Sequence, residues 1–128
     1  MRPEKTGPLE GMNILLVEDE AIIGLDLEAC LESLGADVTG PIHSLDKALA
    51  AAQSLMFDCA ILDLKVIGGS IEPVADLLEQ RNVPIVFHTG HGQAETLKHQ
   101  WPGCEVLAKP SNYSTLPDMI NRMVKPGG

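Results

Sequence analysis

Residues 13–20 read Asn-Ile-Leu-Leu-Val-Glu-Asp-Glu, NILLVEDE. The first five form a short apolar run, the pattern of a strand buried on both faces. The run stops abruptly at Glu18, Asp19 and Glu20. In the segment after it, AIIGLDLEACLESLG, Ile22, Ile23, Leu27, Cys30, Leu31 and Leu34 fall at helical spacing, and Gly35 supplies a stop. A buried strand, an acidic turn and an amphipathic helix make the opening βα unit of an α/β protein.

The same alternation continues toward the C-terminus. Asp37 to Ile42 is a weaker strand broken by Gly40-Pro41, and Ser44 is a candidate N-cap for the Ala-rich helix LDKALAAAQSLM. Cys59 to Leu62 (CAIL) is a further buried strand, ending at Asp63. Gly68-Gly69 then gives a loop, and Ser70 a cap for IEPVADLLEQR, where Pro73 is tolerable in the first turn. Val83 to Phe87 (VPIVF) is the next strand, followed by Thr89-Gly90-His91-Gly92. A short helix over Ala94 to Gln100 precedes a last strand, Glu105 to Ala108 (EVLA). Lys109-Pro110 and a helix from Thr115 to Val124 complete the pattern. Residues 1–11 carry two prolines and two glycines without periodicity and read as a flexible leader, and residues 126–128 as a frayed tail. Residues 12–125 are therefore expected to form one domain of α/β class, a doubly wound five-stranded parallel sheet covered on both faces.

Composition narrows the function. The 128 residues are 45% hydrophobic and 21% charged, as in an ordinary globular domain, and only 3% aromatic, so the core is aliphatic. Nine Lys and Arg against 18 Asp and Glu give a net charge of −9. An anionic surface of this kind repels phosphate backbones and anionic lipid, which argues against nucleic-acid and membrane partners. No apolar run is long enough to span a bilayer and no signal-peptide pattern opens the chain, so a cytoplasmic location is expected. Cys30, Cys59 and Cys104 stand alone in apolar stretches and read as reduced thiols. His88 and His91 form an HxxH pair, but no cysteine stands near to complete a zinc site.

In a doubly wound sheet, functional groups gather at the carboxyl ends of the strands. Here those ends carry Glu18 and Asp19, then Asp63, then Thr89, then Lys109. Each has an ordinary explanation alone: Asp19 and Glu20 as first-turn acids, Asp63 as a loop aspartate, Thr89 as a β-rich filler, Lys109 as a solvated lysine. Their agreement at four strand ends points to a site. Carboxylates ~4 Å apart repel by roughly 4 kcal/mol at an effective dielectric near 20, so the cluster needs a cation. A hard, oxygen-rich rim suits Mg²⁺. A carboxylate nucleophile beside a metal, a lysine and a hydroxyl is suited to accepting a phosphoryl group.

With LLVEDE at Leu15 to Glu20, AILDL at Ala60 to Leu64, Thr89-Gly90 after VPIVF, and LAKP at Leu107 to Pro110, the chain resembles the receiver domains of bacterial two-component response regulators. The resemblance covers residues 12–125 and implies a flavodoxin-like, CheY-like fold. It makes Asp63 the phospho-accepting aspartate, Thr89 the switch hydroxyl and Lys109 the phosphate-contacting lysine. Glu18, Asp19, Asp63 and the backbone carbonyl of Lys65 would hold Mg²⁺. The phosphoryl donor would be a sensor histidine kinase or a phosphotransfer protein. The chain would be an acceptor with self-catalysed phosphorylation and dephosphorylation, not an enzyme with its own substrate. The Lys109–Pro110 peptide is expected to be cis.

The segment VPIVFHTGHG also resembles the subgroup in which Phe-Ala-Thr-Gly follows the fourth strand, with His88 and His91 departing from it. Val106 stands where receivers usually carry a switch aromatic, so signalling is expected to run through Thr89 and the Gly90–Gly92 loop. Lys65 sits two residues after the acceptor, where uncharged residues are common; it reads either as a solvated lysine or as an ammonium that reaches the acidic pocket or the phosphoryl group and alters metal affinity or phosphate lifetime. The usual Met-Pro is absent, so Val66 to Gly69 is expected to be a mobile loop. Ser111 replaces a common Phe, thinning the apolar surface near the last helix. Trp101 and Tyr113 read as partly buried packing residues. The short ends leave no room for an output domain, so a stand-alone receiver or a piece of a longer regulator is expected. Two further classes compete. A phosphorylation-independent interaction domain is disfavoured by the full acidic, Thr and Lys set. A flavodoxin-like cofactor binder would need a Gly-rich phosphate loop where Glu18-Asp19-Glu20 stands.

Overall fold

The structure, a computed structural model, describes residues 6–90, 92–110 and 112–124. His91 and Ser111, and with them the expectations made for those two positions, lie outside the described residues, as does the tail 126–128.

Five strands build the main sheet: β1 (Asn13–Val17), β2 (Asp37–Ile42), β3 (Cys59–Leu62), β6 (Ile85–Thr89) and β7 (Glu105–Ala108). A two-stranded hairpin, β4 (Lys65–Val66) and β5 (Gly69–Ser70), lies between them in sequence. The helices are α1 (Ala21–Ser33), α2 (Leu45–Ser54), α3 (Glu72–Gln80), α4 (Ala94–Gln100) and α5 (Leu116–Val124). The main sheet is parallel throughout, in the order β2-β1-β3-β6-β7. The chain leaves β1 outward to β2 and returns past it to β3. The gap between the carboxyl ends of β1 and β3 is therefore the switch point at which such sheets bind their ligands.

Side chains alternate across a strand, and here both rows are buried. Leu15, Val17, Ala60, Leu62 and Phe87 pack under Ala48, Ala52, Val74, Ala75, Leu78 and Leu97 of α2, α3 and α4. Ile14, Leu16, Ile61 and Val86 pack under Leu27, Leu31, Leu116 and Ile120 of α1 and α5. Each fully buried Leu or Ile contributes about 1.5–3 kcal/mol. Trp101, 2% exposed, stacks obliquely on Phe87 and donates its indole N–H to Asp76 at 3.0 Å. Its role is packing, as expected.

Several expectations change in detail. The strand placed at Val83 to Phe87 runs instead over Ile85–Thr89, because His88 and Thr89 still pair with Leu107 and Ala108 of β7. Gly40-Pro41 does not end β2. It forms a cis peptide within an edge strand, where a missing N–H is tolerated, and Gly40 takes φ +127° against the Leu16 backbone. Residues 66–69, expected to be a loop, close the β4–β5 hairpin, and Ile67 forms a parallel bridge with Ser44. Over its described residues 6–11, the expected flexible leader is docked. Leu9 is fully buried in the α1–α5 core and its N–H donates to the Leu34 carbonyl at 2.8 Å. Ser44 caps α2 as read, accepting from Lys47 N. No described helix is long and apolar enough to cross a membrane.

Candidate functional site

All the strand-end residues singled out in the sequence converge at the switch point. β1 delivers Glu18, β3 delivers Asp63, β6 ends on Thr89 and β7 leads into Lys109. The Lys109–Pro110 peptide is cis, as expected. The Lys109 ammonium stands 3.0 Å from Glu18 Oε2, 3.1 Å from Asp63 Oδ2 and 3.3 Å from Glu20 Oε2. The backbone N–H of Asp19 donates to Asp63 Oδ2 at 3.3 Å, and that of Lys65 to Oδ1 at 3.4 Å. Asp63 is thus held by two backbone donors and one ammonium, and is 7% exposed. Thr89 is equally buried, and its carbonyl accepts from Lys109 N at 2.7 Å, tying the ends of β6 and β7 together.

A cleft of about 340 Å³ opens over these groups, walled by Asp19, Asp63, Lys65, Thr89, Gly90 and Lys109 among others. Its electrostatics follow from burial and neighbours. Burial, then the adjacent Glu18, push the Asp63 carboxyl above its usual range, and Lys109 opposes them. For Glu18 burial also pushes upward, but hydrogen bonding to His88, Asp63 and Lys109, with the lysine's charge, prevails and brings it down to about 2. Burial lowers Lys109, yet Glu18 and Asp63 outweigh it and hold the ammonium above its ordinary value. At neutral pH the cluster keeps Glu18 anionic and Lys109 cationic.

The acidic pair divides by position. Asp19 lines the cleft, whereas Glu18 is fully buried beneath it, its carboxylate turned to His88 and Lys109. Among the described residues no three His, Cys, Asp or Glu side chains are grouped to hold a metal ion. The cleft wall still offers the carboxylates of Asp19 and Asp63 beside the Lys65 backbone. This all-oxygen set fits a cation such as Mg²⁺, which binds through one or two carboxylates and keeps several waters.

Two functional neighbours escaped the sequence reading. Glu20 read as a first-turn acid, but it is the third carboxylate on Lys109. His88, 1% exposed, places Nδ1 3.3 Å from Glu18 Oε1. Strand parity is the signal that finds it: Ile14, Leu16 and Glu18 continue one row of β1, and Val86 and His88 continue the matching row of β6.

A doubly wound α/β domain with a lysine-bridged acidic cleft at its switch point defines a class, and comparison with known proteins narrows it. No protein-family profile matches the chain. It is 30% identical over 112 residues to the phyllosphere-induced regulator PhyR of Methylorubrum extorquens, an alignment covering 85% of this chain and 42% of that protein. The chain spans about half the length of the curated relatives it matches. It superposes with a TM-score of 0.74 on the signal receiver domain of a modulated diguanylate cyclase from Desulfovibrio desulfuricans, at 31% identity over 88% of this chain and 93% of that one. The receiver domain of the sensor histidine kinase PA1611 from Pseudomonas aeruginosa, which carries a magnesium ion coordinated in its active-site cleft, matches with a TM-score of 0.78. The identity is 26%, over 91% of this chain and 99% of that one. The chain belongs to the receiver domains of two-component response regulators.

Proposed function

We propose that this receiver accepts a phosphoryl group on Asp63 from a sensor histidine kinase or a phosphotransfer protein, with Mg²⁺ required, and that the modified domain changes its binding to a protein partner. The observation that carries the reading is the Lys109 ammonium 3.1 Å from Asp63 Oδ2 at the wall of a cleft that also holds Thr89.

The chemistry asks little of the chain beyond placement and charge. A carboxylate oxygen of Asp63 forms the new O–P bond while the P–N bond of the donor phosphohistidine breaks, its electron pair leaving on the imidazole nitrogen. The backbone N–H groups of Asp19 and Lys65 fix the carboxylate for attack. Lys109 exchanges its Asp63 contact for one to a phosphoryl oxygen, and the Thr89 hydroxyl donates to another. Asp19, Asp63 and the Lys65 carbonyl would hold the magnesium, with Glu18 behind them keeping Lys109 in place. When bound, the ion neutralises charge on the phosphoryl oxygens. The Lys65 ammonium is exposed at the rim and stays solvated.

Val106 leaves no aromatic ring to swing on β7, so Thr89 and Gly90 carry the change outward. A shift of Thr89 moves the end of β7 through the Thr89 O–Lys109 N bond. Val106 also supports the narrower likeness to the Phe-Ala-Thr-Gly receivers, from which His88 departs by bonding Glu18. The domain turns over no substrate of its own, works in the cytoplasm beside its kinase, and with its net charge of −9 binds neither nucleic acid nor membrane.

The test is intact mass after incubation with acetyl phosphate and Mg²⁺, for the native chain and Asp63→Asn in parallel. The native chain gains one phosphoryl group only when Mg²⁺ is present, and the variant gains none. A gain retained in Asp63→Asn would remove Asp63 as acceptor. A native chain left unmodified by acetyl phosphate and by phosphorylated histidine-containing donors would favour phosphorylation-independent partner binding instead.

A further inference from the structure

A phosphoryl group on Asp63 would engage Lys109, Thr89 and the metal through its oxygens. Its removal by hydrolysis needs something more: a water aligned with phosphorus, opposite the Asp63 oxygen that leaves. With Asp19, Asp63, Thr89 and Lys109 occupied, the cleft wall still presents Glu20, Leu64, Lys65, Gly90 and Gln93. A side chain that aligns this water accepts a hydrogen bond from it and leaves an oxygen lone pair free for attack. The Lys65 ammonium only donates, and Leu64 and Gly90 have no polar side-chain atom. Glu20 can accept, but it is held on Lys109 at 3.3 Å and its charge opposes a phosphoryl dianion. Gln93 is left. Its amide carbonyl accepts without charge, and its NH₂ can donate to a phosphoryl oxygen. A glutamine amide orients the attacking water in other phosphoryl-transfer sites.

The placement of Gln93 leaves that amide available. It is the residue just ahead of α4, where side chains commonly cap a helix, yet its side chain makes no capping bond. Only its backbone carbonyl is used, accepting from Leu97 N at 3.0 Å. The residue is exposed and lines the acceptor cleft. Gly92, at φ +86°, makes the turn that leads into it.

We propose, given Asp63 as the acceptor, that the Gln93 amide holds the water that hydrolyses the acyl phosphate and so sets how long the phosphorylated state lasts. The water oxygen forms a new bond to phosphorus while the bond from phosphorus to the Asp63 oxygen breaks. The electron pair of the broken bond returns to the carboxylate. Both water protons leave with the product as dihydrogen phosphate, so Gln93 orients the water and takes no proton from it.

The test loads the full chain from acetyl phosphate with Mg²⁺, removes the donor, and follows loss of the phosphoryl group by intact mass. Gln93→Met keeps the length of the side chain and removes the amide. Its phosphoprotein should decay about tenfold more slowly, the worth of one hydrogen bond to the attacking water. Uptake of the phosphoryl group, which consumes no water, should not slow in step, whereas a merely structural role would slow both. In water labelled with heavy oxygen, the label should appear in the released phosphate and not in the protein. Equal decay of native and variant, uptake and decay slowed together, or label in the Asp63 carboxylate would each overturn the proposal while leaving Asp63 as the acceptor. A native chain that takes a phosphoryl group from neither acetyl phosphate nor a phosphorylated histidine donor would overturn both.

Discussion

Lys109 holds three carboxylates on one ammonium, and each contact has a different worth. Glu18 is buried and Lys109 mostly so, whereas Glu20 is 59% exposed and its contact is screened by solvent. Removing the ammonium leaves Glu18 and Asp63 facing each other without compensation. Lys109→Met is expected to lower unfolding stability by about 1–3 kcal/mol, read from urea denaturation, and Glu18→Gln in the same chain to restore part of the loss. Additive losses in the double variant would show that the pair does not interact. Acid tests the same residue from the other side. Glu18 falls from 4.5 to about 2 on folding, so between those values the unfolded chain binds more protons. Its contribution is present above pH 4.5 and lost as pH falls toward 2, roughly 3 kcal/mol in all. Asp63, raised above its usual range, acts in the opposite sense and does not explain acid lability. Urea midpoints should therefore drop below pH 4.5 in the native chain and drop less in Glu18→Gln. Asp63, Thr89 and Lys109 were legible in the sequence because each ends an apolar strand. His88 was not, because its partner Glu18 lies two strands away in the sheet order, a relation that only parity and register together reveal.

The elements were legible wherever hydrophobic period and caps agreed, and failed where tertiary contacts overrule local signals. Gly35 stops α1 and Ser44 caps α2 as read, each a local interaction that needs no knowledge of the fold. The hairpin β4–β5 is invisible locally. Two residues per strand carry no period, and their order comes from backbone bonds of Ile67 to His43 and of Leu45 to Ile67. Residues 6–11 failed for a related reason. A single apolar residue, Leu9, carries no pattern, yet it is fully buried among Ile14, Leu31 and Ile120. Asn121 Nδ2 reaches the Pro8 carbonyl at 3.2 Å and adds a second anchor. Leu9→Ala should then cost about 2–4 kcal/mol, as for any buried Leu truncated in a core. A loose leader would lose nothing measurable, so thermal or urea unfolding of this one variant decides between docked and free.

The whole molecule is a sheet with two cores, one under α2, α3 and α4 and one under α1 and α5, and the site is assembled where the ends of both rows meet. Strand alternation made both cores legible, since NILLV and CAIL are apolar on both faces. The strand order itself was not readable from periodicity, because sequence spacing says nothing of which neighbour a strand chooses. Because β1, β3 and β6 contribute side chains to both cores, neither face can lose its packing without exposing the backs of shared strands. Trp101 sits in the first core and Leu27 in the second, which gives a direct probe of that coupling. Trp101 fluorescence and far-UV circular dichroism should follow one coincident urea transition, as expected of a single domain of this size. Leu27→Ala, on the opposite face from the tryptophan, should move both curves together by about 2–5 kcal/mol. A fluorescence transition that stays in place while the dichroism shifts would show two cores that melt separately. A site drawing Glu18, Asp63, Thr89 and Lys109 from the ends of four strands, three of them shared by both cores, would then have no rigid frame.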